Sequence, residues 1–232
     1  MLASSFHDEP TLDKVVFLLL IGMLTLIVGG NNIRYRVKHW SSGGVKLTGK
    51  GFKVVTVSRK SVGPVGKLQN HIHLKADLGN LSAVSEVFSR VRELYGEPNL
   101  VIYNAAAYSV TDPNNAFVDS VEDFAQHLSV NTISLFETIK ETIKSFDRLP
   151  RDINKTLIFT GNFLNRFPSA SLLSLSVGKG ASYDLLRLAD MSYGKKAINF
   201  TMRMSVRKVE MLFMVISMVK PMQNFIINLL KD

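Results

Sequence analysis

The sequence predicts a doubly wound parallel sheet in a single three-layer α/β/α domain. Three observations lead there. Short β-rich runs alternate with amphipathic helical stretches from residue 52 to residue 201, the pattern of a parallel sheet with crossover helices. Several of those runs are continuously apolar, as strands covered on both faces must be. The chain also has 232 residues, 46% apolar and 20% charged, enough to bury one substantial core and too apolar for wholesale disorder.

The first apolar run is Val15 to Asn32, 18 residues without a charge. As a helix it would reach about 27 Å, marginal for a hydrocarbon core of about 30 Å. In that reading Asp8, Glu9 and Asp13 precede the span, and Arg34, Arg36 and Lys38 follow it. The positive-inside rule then places the bulk of the chain in the cytoplasm, anchored to the membrane. A cleaved signal peptide fits poorly, because the basic flank is on the wrong side. The alternative is a buried strand within Val15–Leu20 or Leu24–Val28, and the strand is preferred because the downstream sheet needs it. Residues 1–14 form a tail, and the domain runs from 15 to 201.

Ile33 to Trp40 has apolar residues at helical spacing and is stopped by Ser41-Ser-Gly-Gly44. Phe52–Val57 and His71–Ala76 read as strands. Asn80 is a candidate cap for a helix carrying Val84, Val87, Phe88, Val91 and Leu94, which Gly96 and Pro98 end. Leu100–Tyr103 is a buried strand. Val121–Phe146 carries one long helical period, Lys155–Thr160 a strand closed by Gly161, Val177–Tyr193 a helix and Ala197–Thr201 a last strand.

Composition removes several chemistries. Cys is absent, so a disulfide framework, a thiolate zinc site and a Cys nucleophile are excluded. The net charge of +9 suits anionic ligands. The basic residues are spread along the chain rather than packed in blocks, which argues against a nucleic-acid partner. His71 and His73 alternate on one strand face without a third ligand, so they read as satisfied strand histidines rather than a metal site. Asn80-Leu-Ser82, Asn154-Lys-Thr156 and Asn199-Phe-Thr201 match the glycosylation pattern, which is discounted as common by chance.

In a parallel sheet, ligands bind beyond the carboxyl ends of the strands. The residues there are Gly29-Gly30, Ser58-Arg59, Asp77-Leu78, Asn104-Ala-Ala106 and Gly161-Asn162. Their order resembles the short-chain dehydrogenase/reductase family, best over residues 52–200. The resemblance implies a Rossmann-like fold that binds a dinucleotide and a small-molecule substrate. It sets Asn104, Ala105 and Ala106 against the family's Asn-Ala-Gly motif, with Ala106 in place of Gly. It sets Asp77, followed by Leu78, near the adenine ring, and Asn131 where a helix Asn holds a water of the proton relay. Lys179 matches the Lys that holds the nicotinamide ribose.

The departures from the family are specific. The glycine-rich turn is reduced to Val28-Gly29-Gly30-Asn31-Asn32-Ile33-Arg34, with Gly29, Gly30, Asn32 and Ile33 as the remaining cofactor-binding candidates. Four residues before Lys179, where the family has its proton-donating Tyr, stands Leu175, and no Tyr-x-x-x-Lys occurs anywhere. Asn162 falls near the family's Ser position, and Tyr183 lies one turn beyond Lys179. Residues 202–232 diverge, and the Met-rich run Met211–Val219 is too short to cross a bilayer.

Three readings follow. The first is an oxidoreductase acting on a small carbonyl or alcohol, with Lys179, Asn131 and Asn162 in catalytic positions. Ser58, Arg59 and Lys60, with no acid at the end of the second strand, lead to the expectation of NADP(H) over NAD(H). The second is a non-catalytic relative that binds a cofactor or a protein partner. The third is a membrane-anchored form. The family's habit of pairing through the long helices implies a homodimer.

Overall fold

The computed structural model describes residues 15–19, 53–60, 70–194 and 198–204. The readings that fall on 1–14, 20–52, 61–69, 195–197 and 205–232 lie outside those residues, among them the N-terminal tail, the glycine turn Gly29, Gly30, Asn32 and Ile33, the helix at Ile33–Trp40 and the run Met211–Val219.

Among the described residues, six strands form one sheet: β1 (Val15–Leu19), β2 (Lys53–Ser58), β3 (His71–Lys75), β4 (Leu100–Tyr103), β5 (Lys155–Gly161) and β6 (Ile198–Met204). Their order is β3-β2-β1-β4-β5-β6, and every neighbouring pair is parallel. Val15–Leu19 is therefore a central strand, paired with β2 on one side and β4 on the other. The strand reading of that part of the apolar run is the observed one. Among the described residues, no helix is long and apolar enough to cross a membrane. The chain winds outward from β1 to β3, then crosses back to β4 and winds the other way. The order reverses between β1 and β4, and such a switch point opens a crevice at the carboxyl ends.

The α-helices of the described residues are α1 (Ala83–Tyr95), α2 (Val121–Leu128), α3 (Ser134–Arg148) and α4 (Leu173–Tyr193). Asn80 is not the cap of α1. Ser82 occupies that position, and the Asn80 side-chain oxygen instead accepts from Ser82 N at 3.2 Å, a turn closed before the helix begins. Gly96 ends α1 at φ +89°, a conformation that suits glycine. The long helix of Val121–Phe146 is broken: Ser129–Ile133 is a π-helical turn between α2 and α3. Helix α4 begins at Leu173 rather than Val177, and β6 continues to Met204.

Val55 and Val57 of β2, Val101 and Tyr103 of β4, and Leu157 and Phe159 of β5 join Val84, Phe88, Leu135 and Ile139 in one buried cluster. Strand residues two apart share a face, so Thr56 and Ser58 lie on the side of β2 away from these helices. Between α1 and α3, Glu141 is buried at 3% exposure. Its carboxylate takes Arg92 at 2.6 Å and Lys144 at 2.6 Å. Burial of one carboxylate is tolerated because two cations and their hydrogen bonds offset desolvation.

Arg92→Ala leaves that carboxylate with Lys144 alone and should destabilise the fold by about 2–3 kcal/mol in urea unfolding. Adding Glu141→Leu should recover most of the loss, because the buried charge is then gone.

Candidate functional site

The π-helical turn organises the carboxyl edge of the sheet. Ser134 N donates to Ser129 O across this turn, five residues back, so Val130 O loses the donor an α-helix would give it. The Tyr103 hydroxyl at the end of β4 donates to that carbonyl instead. Tyr103 is fully buried and stacked on Phe159, with ring centroids 6.3 Å apart. Burial drives its phenol far above the usual range, so it stays a protonated donor.

Asn131 sits in the same turn at 1% exposure. Its side chain pairs with the backbone of Ala107, accepting from Ala107 N at 2.9 Å and donating to Ala107 O at 2.7 Å. This clamps the segment after β4, which carries Asn104, Ala105 and Ala106, against the turn. Its backbone carbonyl accepts from Ser182 Oγ of α4 at 2.6 Å. Helix α4 comes this close because residue 178 is glycine. A Cβ there would stand 2.5 Å from Asn131 Cβ. Ser134 Oγ donates to Leu78 O, which draws the turn after β3 into the same junction.

Lys179 is 5% exposed. Its Nζ donates to Thr160 O at 2.9 Å and stands 4.4 Å from the centre of the Phe159 ring. Desolvation lowers its pKa to about 8. Thr160 Oγ1 in turn donates to Asn104 Oδ1 at 2.5 Å. Lys179 and Asn104 thus meet through one residue of β5, and Asn131 joins them through Ala107. Leu175, one turn before Lys179, is buried at 2% exposure and offers no proton. Asn162 caps a short 3₁₀ turn, its side-chain oxygen accepting from Leu164 N at 3.1 Å. Tyr183 lies under two guanidinium groups, Arg166 at 6.0 Å and Arg187 at 5.7 Å.

The remaining candidates lie at the other half of the edge. Asp77 is exposed and accepts from Gly79 N at 2.9 Å, and Leu78 is fully buried. Ser58 Oγ donates to Lys60 O at 2.8 Å, and Arg59 is exposed. Among the described residues, no cluster of His, Asp and Glu could hold a metal. Sequence reasoning missed Tyr103, Thr160, Gly178 and Ser182. All four act through hydrogen bonds or close approach between elements far apart in the chain.

No protein-family model matches the chain. It is 34% identical over 189 residues to a short chain dehydrogenase/reductase of Cryptosporiopsis sp. (strain 8999), with 76% of this chain and 74% of that one covered. The chain belongs to the short-chain dehydrogenase/reductase family. Solved structures agree in fold. A short chain dehydrogenase from Mycobacterium smegmatis superposes with TM-score 0.65 at 15% identity, covering 87% of this chain and 81% of that one. A metagenomic short-chain oxidoreductase in complex with NADP gives 0.64 at 12%, covering 84% and 82%. A 4-hydroxyisoleucine dehydrogenase complexed with NADH gives 0.63 at 16%, covering 81% and 73%.

Unfolded Lys179 titrates near its ordinary value of 10.5 and folded Lys179 near 8. Between those values the unfolded chain holds a proton that the folded chain lacks, so stability rises with pH. Across pH 8 to 10.5 the wild type should gain roughly 3 kcal/mol of unfolding free energy relative to Lys179→Met. Parallel pH profiles of the two proteins in urea unfolding would refute the buried amine.

Proposed function

We propose that this chain is a nicotinamide-dinucleotide oxidoreductase acting on a small carbonyl or alcohol, with NADP(H) as the preferred cofactor. What carries the reading is family membership together with a carboxyl edge where Asn104, Asn131 and Lys179 converge. The cofactor's adenosine end fits the described residues. Arg59 and Lys60 are exposed past β2 with no acid beside them, as a 2′-phosphate requires, and the exposed Asp77 carboxylate follows β3. Ser58, Asp77, Leu78, Asn104, Ala105 and Ala106 would border the cofactor, as would Gly29, Gly30, Asn32 and Ile33. When bound, it supplies or accepts a hydride.

The chain's own residues do the rest. Asn131 holds the Asn104–Ala107 segment in place. Asn162 positions the substrate oxygen through its amide nitrogen, since its side-chain oxygen already caps the 3₁₀ turn. Leu175 cannot give the proton, so the proton comes from water or from another residue. Lys179 would have to leave Thr160 O to reach a ribose hydroxyl. The proposed domain spans 15–201, and pairing into a homodimer uses the exposed Phe136, Val177, Leu188 and Met191 of the long helices.

A second reading is a non-catalytic binding module. Leu175, the Lys179–Thr160 bond and the occupation of the Asn131 carbonyl by Ser182 favour it. This module binds a cofactor or a protein partner without turnover, so turnover separates the two readings.

At 100 times its dissociation constant, NADPH should add about 2.7 kcal/mol to the unfolding free energy, several degrees in midpoint, and NADH less. Arg59→Ala should weaken NADPH about tenfold and leave NADH unchanged. A panel of aldehydes, ketones and alcohols then tests turnover, which Lys179→Ala should abolish. No shift with either nucleotide overturns the cofactor reading, and a shift without turnover selects the binding module.

A further inference from the structure

The face of β2 turned away from α1, α3 and α4 carries a polar ladder. Thr56 and Ser58 stand on it, and the parallel register sets Thr56 beside His73 and Val54 beside His71. Thr56 is 5% exposed. Its Oγ1 lies 3.2 Å from His71 Nε2 and 2.9 Å from His73 Nδ1. His73 Nε2 lies 3.2 Å from Lys60 O and 3.2 Å from Ser58 Oγ. One imidazole thus bridges from the middle of β2 to the turn beyond its end.

The direction of the chain of bonds follows from its members. Lys60 O only accepts, so His73 Nε2 carries a proton. Thr56 Oγ1 has a third contact, Ile72 O at 3.5 Å; its single hydroxyl proton goes to His73 Nδ1, the shortest of the three, and Thr56 Oγ1 accepts from His71 Nε2. This leaves His71 Nδ1 as a lone pair, and it is one of the buried side-chain atoms that have no hydrogen-bond partner among the described residues. The opposite direction would bury an unpartnered N–H there, which is rarer and less favourable. Burial, and then the neighbouring His73, holds His71 below the ordinary histidine range, so its ring is neutral at pH 7. The sequence runs His71 to Thr56 to His73 to Lys60 O, and the Ser58 hydroxyl donates to the same Lys60 carbonyl at 2.8 Å.

Lys60 O is therefore held twice, and the residue between the two held positions is Arg59. The strand itself stops holding the chain at Ser58, where Ala76 N donates to Ser58 O at 3.0 Å. Beyond that bond, the described grip on the turn is the Ser58 hydroxyl and the His73 ring. A guanidinium recognises phosphate by a fixed fork geometry, and fixing its backbone beforehand reduces the ordering that binding demands.

We propose that His73 is a positioning residue for anion recognition at the end of β2: it locks the Ser58–Lys60 turn so that Arg59 meets a ribose 2′-phosphate. This rests on the dinucleotide reading above. Recognition of the 2′-phosphate is thereby set by a histidine on the neighbouring strand that need not touch the ligand.

The test measures binding of 2′,5′-ADP and 5′-AMP to the full chain by calorimetry. These probes carry only the adenosine end and differ by the 2′-phosphate. His73→Phe keeps the ring volume and removes both bonds. It should weaken 2′,5′-ADP five- to tenfold and leave 5′-AMP within twofold. His73→Gln, which keeps a donor within reach of Lys60 O, should restore 2′,5′-ADP to within threefold of the wild type. Should His73→Phe not fold, Thr56→Val cuts the chain at its centre and should show the same selective loss, in smaller measure. Equal weakening of both probes, or unchanged binding of both in a folded variant, overturns the proposal. A wild type that binds neither probe overturns it together with the dinucleotide reading. A wild type that binds both while His73→Phe changes nothing overturns the proposal alone.

Discussion

The structure depends on a π-helical turn at Ser129–Ile133. A continuous α-helix would commit Val130 O to its own ladder. The turn shifts the ladder, and this carbonyl becomes an acceptor for Tyr103, a residue 27 positions earlier. Around that point the Asn131 side chain takes both backbone groups of Ala107, and its carbonyl takes Ser182. Ser134, just past the turn, takes Leu78 O. The segments after β3 and β4 and the helix after β5 are thus tied to one point of one helix. Every bond there is buried or half-buried, so a satisfied network makes the junction stiff.

That stiffness bears on chemistry at the edge. Lys179 sits one residue past Gly178, whose missing side chain lets α4 approach Asn131. From there the amine reaches Thr160 O and packs on Phe159. An amine so placed gives up its proton more readily than a free lysine and donates to the neighbouring strand. Leu175 beside it extends the apolar floor.

The polar ladder of Thr56, Ser58, His71 and His73 stands apart from that junction, on the β2–β3 half of the sheet. It shows the same principle in a strand. The backbone ladder of β2 ends at Ser58, and side-chain hydrogen bonds continue the hold for two more residues. Two histidines that read as filler in the sequence become a directed chain only when register sets Thr56 between them. Their alternation was visible, but the partner strand and its offset were not.

The sequence by itself determined the class of fold and most element positions. Continuous apolar runs such as Leu100–Tyr103 and helical stripes such as Val84, Val87, Phe88 and Val91 report local burial directly, because burial follows side-chain periodicity. It also placed Leu175 four residues before Lys179, the position where the family resemblance implies a Tyr. Only the tertiary structure decided where Lys179 is engaged, that Ser182 takes the Asn131 carbonyl, that Gly178 is a contact rather than a helix breaker, and that the long helix is interrupted. A π-helical turn leaves the apolar stripe almost unchanged, and hydrogen bonds between residues 19 to 57 positions apart leave no periodic trace. Such contacts are set by the approach of helix to strand and helix to helix, which a linear pattern does not encode.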